Sequence, residues 1–164
     1  NNLFEDINHR LWGGNGLFLQ VGNAPSDVTV DHNTVIQTGN VVTAYGRSRG
    51  AYLTIPGFRF TSNVTVHNAY GLFGSGAGYG TAAIVAYFPD ATIASNVLAG
   101  GQASRYPAGN FFPSVTQLMA DFTDAAQGNY RLNLRSAYRR AARDGTDLGV
   151  NFDQLNRALA GLER

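Results

Sequence analysis

Phe58-Arg59-Phe60-Thr61-Ser62-Asn63-Val64-Thr65-Val66 reads as an alternating strand, a polar corner ending in asparagine, and a second strand. The layout recurs in Val28-Thr29-Val30-Asp31-His32-Asn33-Thr34-Val35 and in Ala91-Thr92-Ile93-Ala94-Ser95-Asn96-Val97-Leu98, while Asn2-Leu3-Phe4 supplies its second half. Asn2, Asn33, Asn63 and Asn96 are thus 31, 30 and 33 residues apart, a period that signals stacked copies of one supersecondary unit. Aligned by count, Val28, Phe58 and Ala91 form one inward column and Val30, Phe60 and Ile93 another, with Thr29, Arg59 and Thr92 pointing out. The corner asparagine suits a left-handed backbone. Asparagines stacked about 4.8 Å apart can also bond to one another, forming a structural ladder that satisfies buried polar groups.

The 164 residues, 44% of them hydrophobic and 14% charged, are enough for one domain with a sizeable core, and twenty glycines suit a turn-rich β protein better than a bundle. A net charge of +1 gives no basis for a specific nucleic-acid partner, and no run is long and apolar enough to imply a membrane one. All twelve basic residues are arginine. The absence of cysteine removes disulfides, thiolate nucleophiles and cysteine-ligated metals without fixing a compartment.

Residues 1–8 start at the corner asparagine and lack the strand before it, so the first coil is expected to be open. An upstream domain of the same chain or a second copy would then cover it. The apolar run Leu17–Val21 reads as a buried strand, and Ala82–Phe88, after the glycine-dense loop Gly74–Gly80, as part of the third coil. That loop lacks the Lys-Ser/Thr ending of a phosphate loop, and no helix pattern is expected to follow it. Beyond residue 100, Ser114-Val115-Thr116-Gln117 has capping-box spacing with Val115, Leu118, Met119 and Phe122 at helical intervals. Tyr130, Leu132 and Leu134 alternate as a strand with one wet face. Asn151 opens a last helix with Phe152, Leu155, Leu159 and Leu162 opposite Arg157 and Arg164.

The repeats, with Tyr130-Arg131-Leu132, Ser136-Ala137-Tyr138 and Asp144-Gly145-Thr146-Asp147-Leu148-Gly149-Val150 after them, resemble the end portion of right-handed parallel β-helix proteins of the pectate-lyase-like superfamily. His67-Asn68-Ala69-Tyr70-Gly71 and Asn110-Phe111-Phe112-Pro113 are similar to uncharacterised secreted bacterial members. The resemblance implies an extracellular, secreted protein, although no signal peptide lies in this chain. It implies little about activity, since lyases, hydrolases, epimerases, adhesins and stalks share such folds. The expected fold class is all-β: a right-handed parallel β-helix of about four coils over 1–113, with a C-terminal cap containing short helices over 114–164, packed on the last coil as one structural domain.

Four residues past each corner asparagine come Asp6, Gln37, His67 and Gly100, a candidate polar column for substrate. Glu5 and Val66 share one count, which allows a register slip in the first coil. A β-helix lyase needs a base beside a uronate carboxylate and a cation to neutralise it. His67 as base, Tyr70 as proton donor and Arg59 as neutraliser are the catalytic candidates, and Arg47 and Arg49 join Asp6 and Gln37 as substrate-binding candidates. Solvated strand faces are the plainer account of the same residues. No cofactor is expected, with calcium as the alternative: the acidic calcium ligands that such lyases carry on successive coils have no counterpart near His67, and no metal site is assigned. Asp31-His32 lacks a third ligand and is read as an Asx-turn, while Asp144-Gly145-Thr146-Asp147 lacks the terminal Glu of a calcium loop and is read as turn chemistry. Arg131, Arg135, Arg139, Arg140 and Arg143 read as a solvated cap face or as a site for an acidic polymer. Tyr45, Tyr52, Tyr70, Tyr79 and Tyr87 would stack on sugars wherever they face outward.

The expected function is an extracellular polysaccharide-binding or polysaccharide-processing module with its groove along the post-corner strands, the polysaccharide being neutral or acidic. The rival is a structural or adhesive stalk without a catalytic centre.

Overall fold

A computed structural model describes residues 1–160, so Leu162 and Arg164, assigned above to the last helix, lie outside the described residues. The chain opens with β1 (Leu3–Ile7), α1 (His9–Trp12) and β2 (Leu19–Gly22). The next repeat holds β3 (Thr29–Asp31), β4 (Thr34–Gln37) and β5 (Val42–Tyr45), followed by the hairpin β6 (Arg47–Ser48) and β7 (Ala51–Tyr52). Then come β8 (Arg59–Thr61), β9 (Val64–Val66), β10 (Leu72–Gly74), β11 (Gly78–Tyr79), α2 (Thr81–Tyr87), β12 (Thr92–Ala94) and β13 (Val97–Ala99). The rest holds α3 (Val115–Asp121), β14 (Phe122–Asp124), β15 (Asn129–Leu132) and α4 (Phe152–Leu159).

These elements correct the all-β, right-handed parallel β-helix expected above. The chain mixes α and β structure: short parallel and mixed sheets with helices between them, rather than one continuous solenoid of strands. The four-stranded sheet β1-β4-β9-β13 and the three-stranded β12-β8-β3 are parallel, and antiparallel pairing joins β10 to β11, β6 to β7 and β14 to β15. The clearest departure is α2, which occupies the run read as strand. Ala83 and Tyr87, four apart, are fully buried while Val85 is 77% exposed, a helical period that three alanines in seven residues favour and that hydrophobicity alone concealed. The expectation that no helix follows the glycine loop falls with it.

Within the repeats the register is the one that the columns require: Thr29–Arg59–Thr92 and Val30–Phe60–Ile93 pair across β3, β8 and β12. Phe58, Phe60 and Ile93 enter one core with Val42, Leu72, Tyr87 and Leu98, and Val28, Val30 and Ala91 pack at its margin. The asparagine side chains link in series. Asn2 Nδ2 donates to Asn33 Oδ1 at 3.1 Å, Asn33 Nδ2 to Asn63 Oδ1 at 2.9 Å and Asn63 Nδ2 to Asn96 Oδ1 at 3.1 Å. Asn96 continues the series to Asn110 Oδ1 at 2.9 Å, a fifth member that fixed-period counting misses because it follows after 14 residues. The left-handed residue at each corner is the one before the asparagine: His32, Ser62, Ser95 and Gly109 have φ of 52°, 56°, 57° and 83°. The asparagine that follows directs its amide along the row.

A second core forms on the other face of β9 and β13. Val64, Val66, Val97 and Ala99 are buried there beneath Leu118, Phe122, Tyr138 and Leu148. The C-terminal segment then crosses back toward the first repeat: Gly149 N donates to Ser62 O at 2.8 Å, Val150 N to Thr34 Oγ1 at 3.1 Å and Asn151 N to Asn1 Oδ1 at 2.6 Å. The Ser114–Gln117 capping box forms as read. Leu134, expected on the buried side of a strand, is instead 88% exposed past the end of β15.

Candidate functional site

The post-corner face proposed as a groove lies under the C-terminal segment, and its polar column is dispersed. Ile7, not Asp6, pairs with Gln37, because a bulge between Phe4 and Ile7 shifts the first repeat by one residue. Asp6 turns out at φ 55° and accepts from Trp12 Nε1 at 2.7 Å. Gln37 is buried, its Nε2 donating to Val66 O at 2.6 Å and its Oε1 left without a partner among the described residues.

His67 is 4% exposed. Its Nδ1 donates to Asn68 O at 2.9 Å, which leaves Nε2 to accept the Tyr106 hydroxyl at 2.7 Å. Burial lowers the His67 pKa below the ordinary 6.5, against the opposing effect of the Asn68 carbonyl, and burial pushes Tyr106 up to about 12. Both ring nitrogens are committed to partners inside the fold, so His67 does not offer a substrate a base. Arg59 is exposed on β8, in a different sheet from the β9 strand that precedes His67, and no hydrogen bond or ion pair joins it to His67 or Tyr70 among the described residues. The proposed trio is therefore not assembled. Tyr70, 48% exposed, belongs elsewhere.

It belongs to an aromatic platform on the sheet that carries β2, β5, β10 and β11. Pairing aligns Gln20 with Thr43 and Thr43 with Phe73, while their neighbours Leu19, Val42 and Leu72 pack inward. Phe73 therefore faces out, and Tyr79 pairs with it across the β10–β11 turn. The Tyr70 ring lies 5.4 Å from Phe73 and 5.7 Å from Tyr79, and the Arg105 guanidinium covers Tyr79 at 4.7 Å. Tyr45, 43% exposed, extends the same face over Gly22, where its ring leaves no room for a β-carbon. Trp12, 72% exposed, flanks Gln20 at the far end.

Arg47 borders the platform. Its guanidinium stacks 4.3 Å over Tyr52, whose hydroxyl donates to Gly76 O at 2.6 Å, which ties the β6–β7 hairpin to the loop before Tyr79. Arg49 is exposed in the same hairpin turn at φ 49°. Of the five tyrosines considered, Tyr87 is fully buried, Tyr52 and Tyr79 are half-buried, and Tyr45 and Tyr70 are exposed; Tyr52 is covered by Arg47, so Tyr45, Tyr70 and the half-buried Tyr79 remain on the outward face. Phe73, Arg105 and Trp12 were missed. Period-two alternation in Leu72-Phe73-Gly74 identifies Phe73, but nothing local marks Arg105, which reaches Tyr79 from 26 residues further along.

No group of three or more acidic or histidine side chains able to hold a metal ion is present among the described residues. No helix among them is long and apolar enough to cross a membrane. Searches against family models, curated proteins and solved structures find no match to this chain.

Proposed function

We propose that the chain is an extracellular polysaccharide-binding module that receives sugar rings on the outward face formed by Tyr70, Phe73, Tyr79 and Tyr45. The observation that carries this reading is the cluster of outward rings: Tyr70 meets both Phe73 and Tyr79, although such rings ordinarily withdraw into the core. Rings presented in a row along strands about 4.8 Å apart suit an extended polymer better than a compact ligand. Arg105, stacked on Tyr79, favours a polymer carrying carboxylates, since a guanidinium pairs with them bidentately. The extracellular assignment rests on the resemblance to secreted proteins. The reading needs no cofactor.

A glycan array run beside an assay for unsaturated uronate products tests it. Binding to one or more acidic glycans without product formation is the expected outcome. The stalk reading, which the sealed position of His67 also allows, predicts neither binding nor product.

A further inference from the structure

A cavity of about 730 Å³ lies between the corner of β3 and the C-terminal segment, away from the aromatic face. It joins two stretches that each read as plain turns in the sequence, Asp31-His32 and Asp144-Gly145-Thr146-Asp147. The left-handed backbone at His32, φ 52°, swings its imidazole toward the loop 114 residues later. His32 Nδ1 lies 2.6 Å from Asp31 Oδ2, and the other oxygen of Asp31 accepts the Thr61 hydroxyl at 2.5 Å. Held on both oxygens, Asp31 fixes the ring and places the proton on Nδ1, leaving Nε2 to act as acceptor. Nε2 faces Thr146 Oγ1 at 2.9 Å. The same hydroxyl donates to Asp144 Oδ1 at 2.7 Å, an oxygen 3.7 Å from Nε2, so a turn about the Cβ–Oγ1 bond carries its proton from Asp144 to His32. Thr146 is exposed to the cavity, which Arg139 and Arg140 also line. The Asp147 amide, next in the chain, makes no hydrogen bond among the described residues.

We propose that Thr146, His32 and Asp31 form a hydrolytic centre that cleaves small acyl esters of polyhydroxy alcohols. A nucleophile, a base at hydrogen-bond distance, an orienting carboxylate and a free amide beside the nucleophile are the parts that acyl transfer needs. Thr146 Oγ attacks the ester carbonyl and gives its proton to His32 Nε2, while the unpartnered Asp147 amide and the Arg139 and Arg140 side chains that line the cavity are the groups available to the oxygen that gains charge. The tetrahedral species collapses, the bond to the alcohol breaks, and Nε2 returns the proton to the departing alcohol. Water then attacks the acyl-threonine through the same base, and the carboxylic acid leaves as Thr146 regains its proton. Ester and water become acid and alcohol, with no other reactant. The polar wall, with Asn133 and Asn151 beside the arginines, favours an alcohol rich in hydroxyls over a lipid.

The test is turnover of 4-nitrophenyl acetate, with rapid quenching and peptide mass analysis, on wild type, Thr146→Val, Thr146→Ser, His32→Asn and His9→Gln. Removal of nucleophile or base is expected to lower the rate at least about a hundredfold. Thr146→Ser should stay within about tenfold of wild type, because it keeps the hydroxyl. His9→Gln, changing an exposed histidine outside the cavity, should match wild type, and the acetyl group should appear on the Thr146 peptide. Should His32→Asn fail to fold, the near-isosteric Thr146→Val decides. Wild-type turnover no faster than buffer, a Thr146→Val rate equal to wild type, or acetylation elsewhere overturns the proposal.

Discussion

Asn63 is fully buried, donates to Asn96 Oδ1 and Val30 O, and accepts from the Asn33 backbone and side chain. Asn63→Ala strands several of these partners without water, so urea unfolding should show a loss of about 3 kcal/mol or more, at about 1–3 kcal/mol for each unsatisfied buried group. His67 predicts a pH dependence. Its folded-state pKa is lowered by burial, so below the ordinary 6.5 the unfolded chain takes up a proton that the folded one refuses. This contribution is fully present above 6.5 and is lost as the pH falls below it. The melting midpoint should drop on acidification through that range, and less steeply in His67→Gln. The ladder was legible because spacing alone marks Asn33, Asn63 and Asn96. The fate of His67 was not, because its partner Tyr106 comes 39 residues later from a stretch without periodicity.

Elements explain what column counting got wrong. Val64, Thr65 and Val66 are all buried, which alternation cannot anticipate: one face looks into the repeat core and the other meets the C-terminal segment. The sequence contains that segment's helix cap and its Tyr138 and Leu148, but not the surface on which they settle. Its crossing depends on Gly149, at φ 80°, where a β-carbon would approach Thr34 Oγ1 at 2.5 Å and Val64 Cγ2 at 3.0 Å. Gly149→Ala should therefore destabilise by about 2–4 kcal/mol, combining left-handed strain with overpacking, as read from chemical denaturation. Hydrogen exchange should show the Gly149 and Val150 amides losing protection before the amides of β9. For α2 the helical reading was present in the i and i+4 positions of Ala83 and Tyr87, and the surrounding strands obscured it.

At the scale of the whole molecule, β1, β2 and β3 are edge strands of their three sheets and all belong to the earliest repeats. Such edges are templates for pairing, and we propose that a preceding segment of the same chain or a second copy occupies them. Sedimentation of this chain at rising concentration should show self-association if a second copy is the occupant. The repeat period conveyed the stacking of parallel strands. The alternation that turns Phe73 outward is local, but the mixture of helices with the sheets and the placing of Arg105 on Tyr79 depend on contacts that no single window contains. The central claim is that the rings of Tyr70, Phe73 and Tyr79 hold a glycan. Calorimetric titration of wild type and of a Tyr70→Ala/Tyr79→Ala variant with an acidic glycan selected on the array tests it most directly. The account predicts saturable wild-type binding weakened at least tenfold in the variant, about 1.4 kcal/mol or more, with an unchanged melting midpoint. Equal affinity in the two proteins would contradict it.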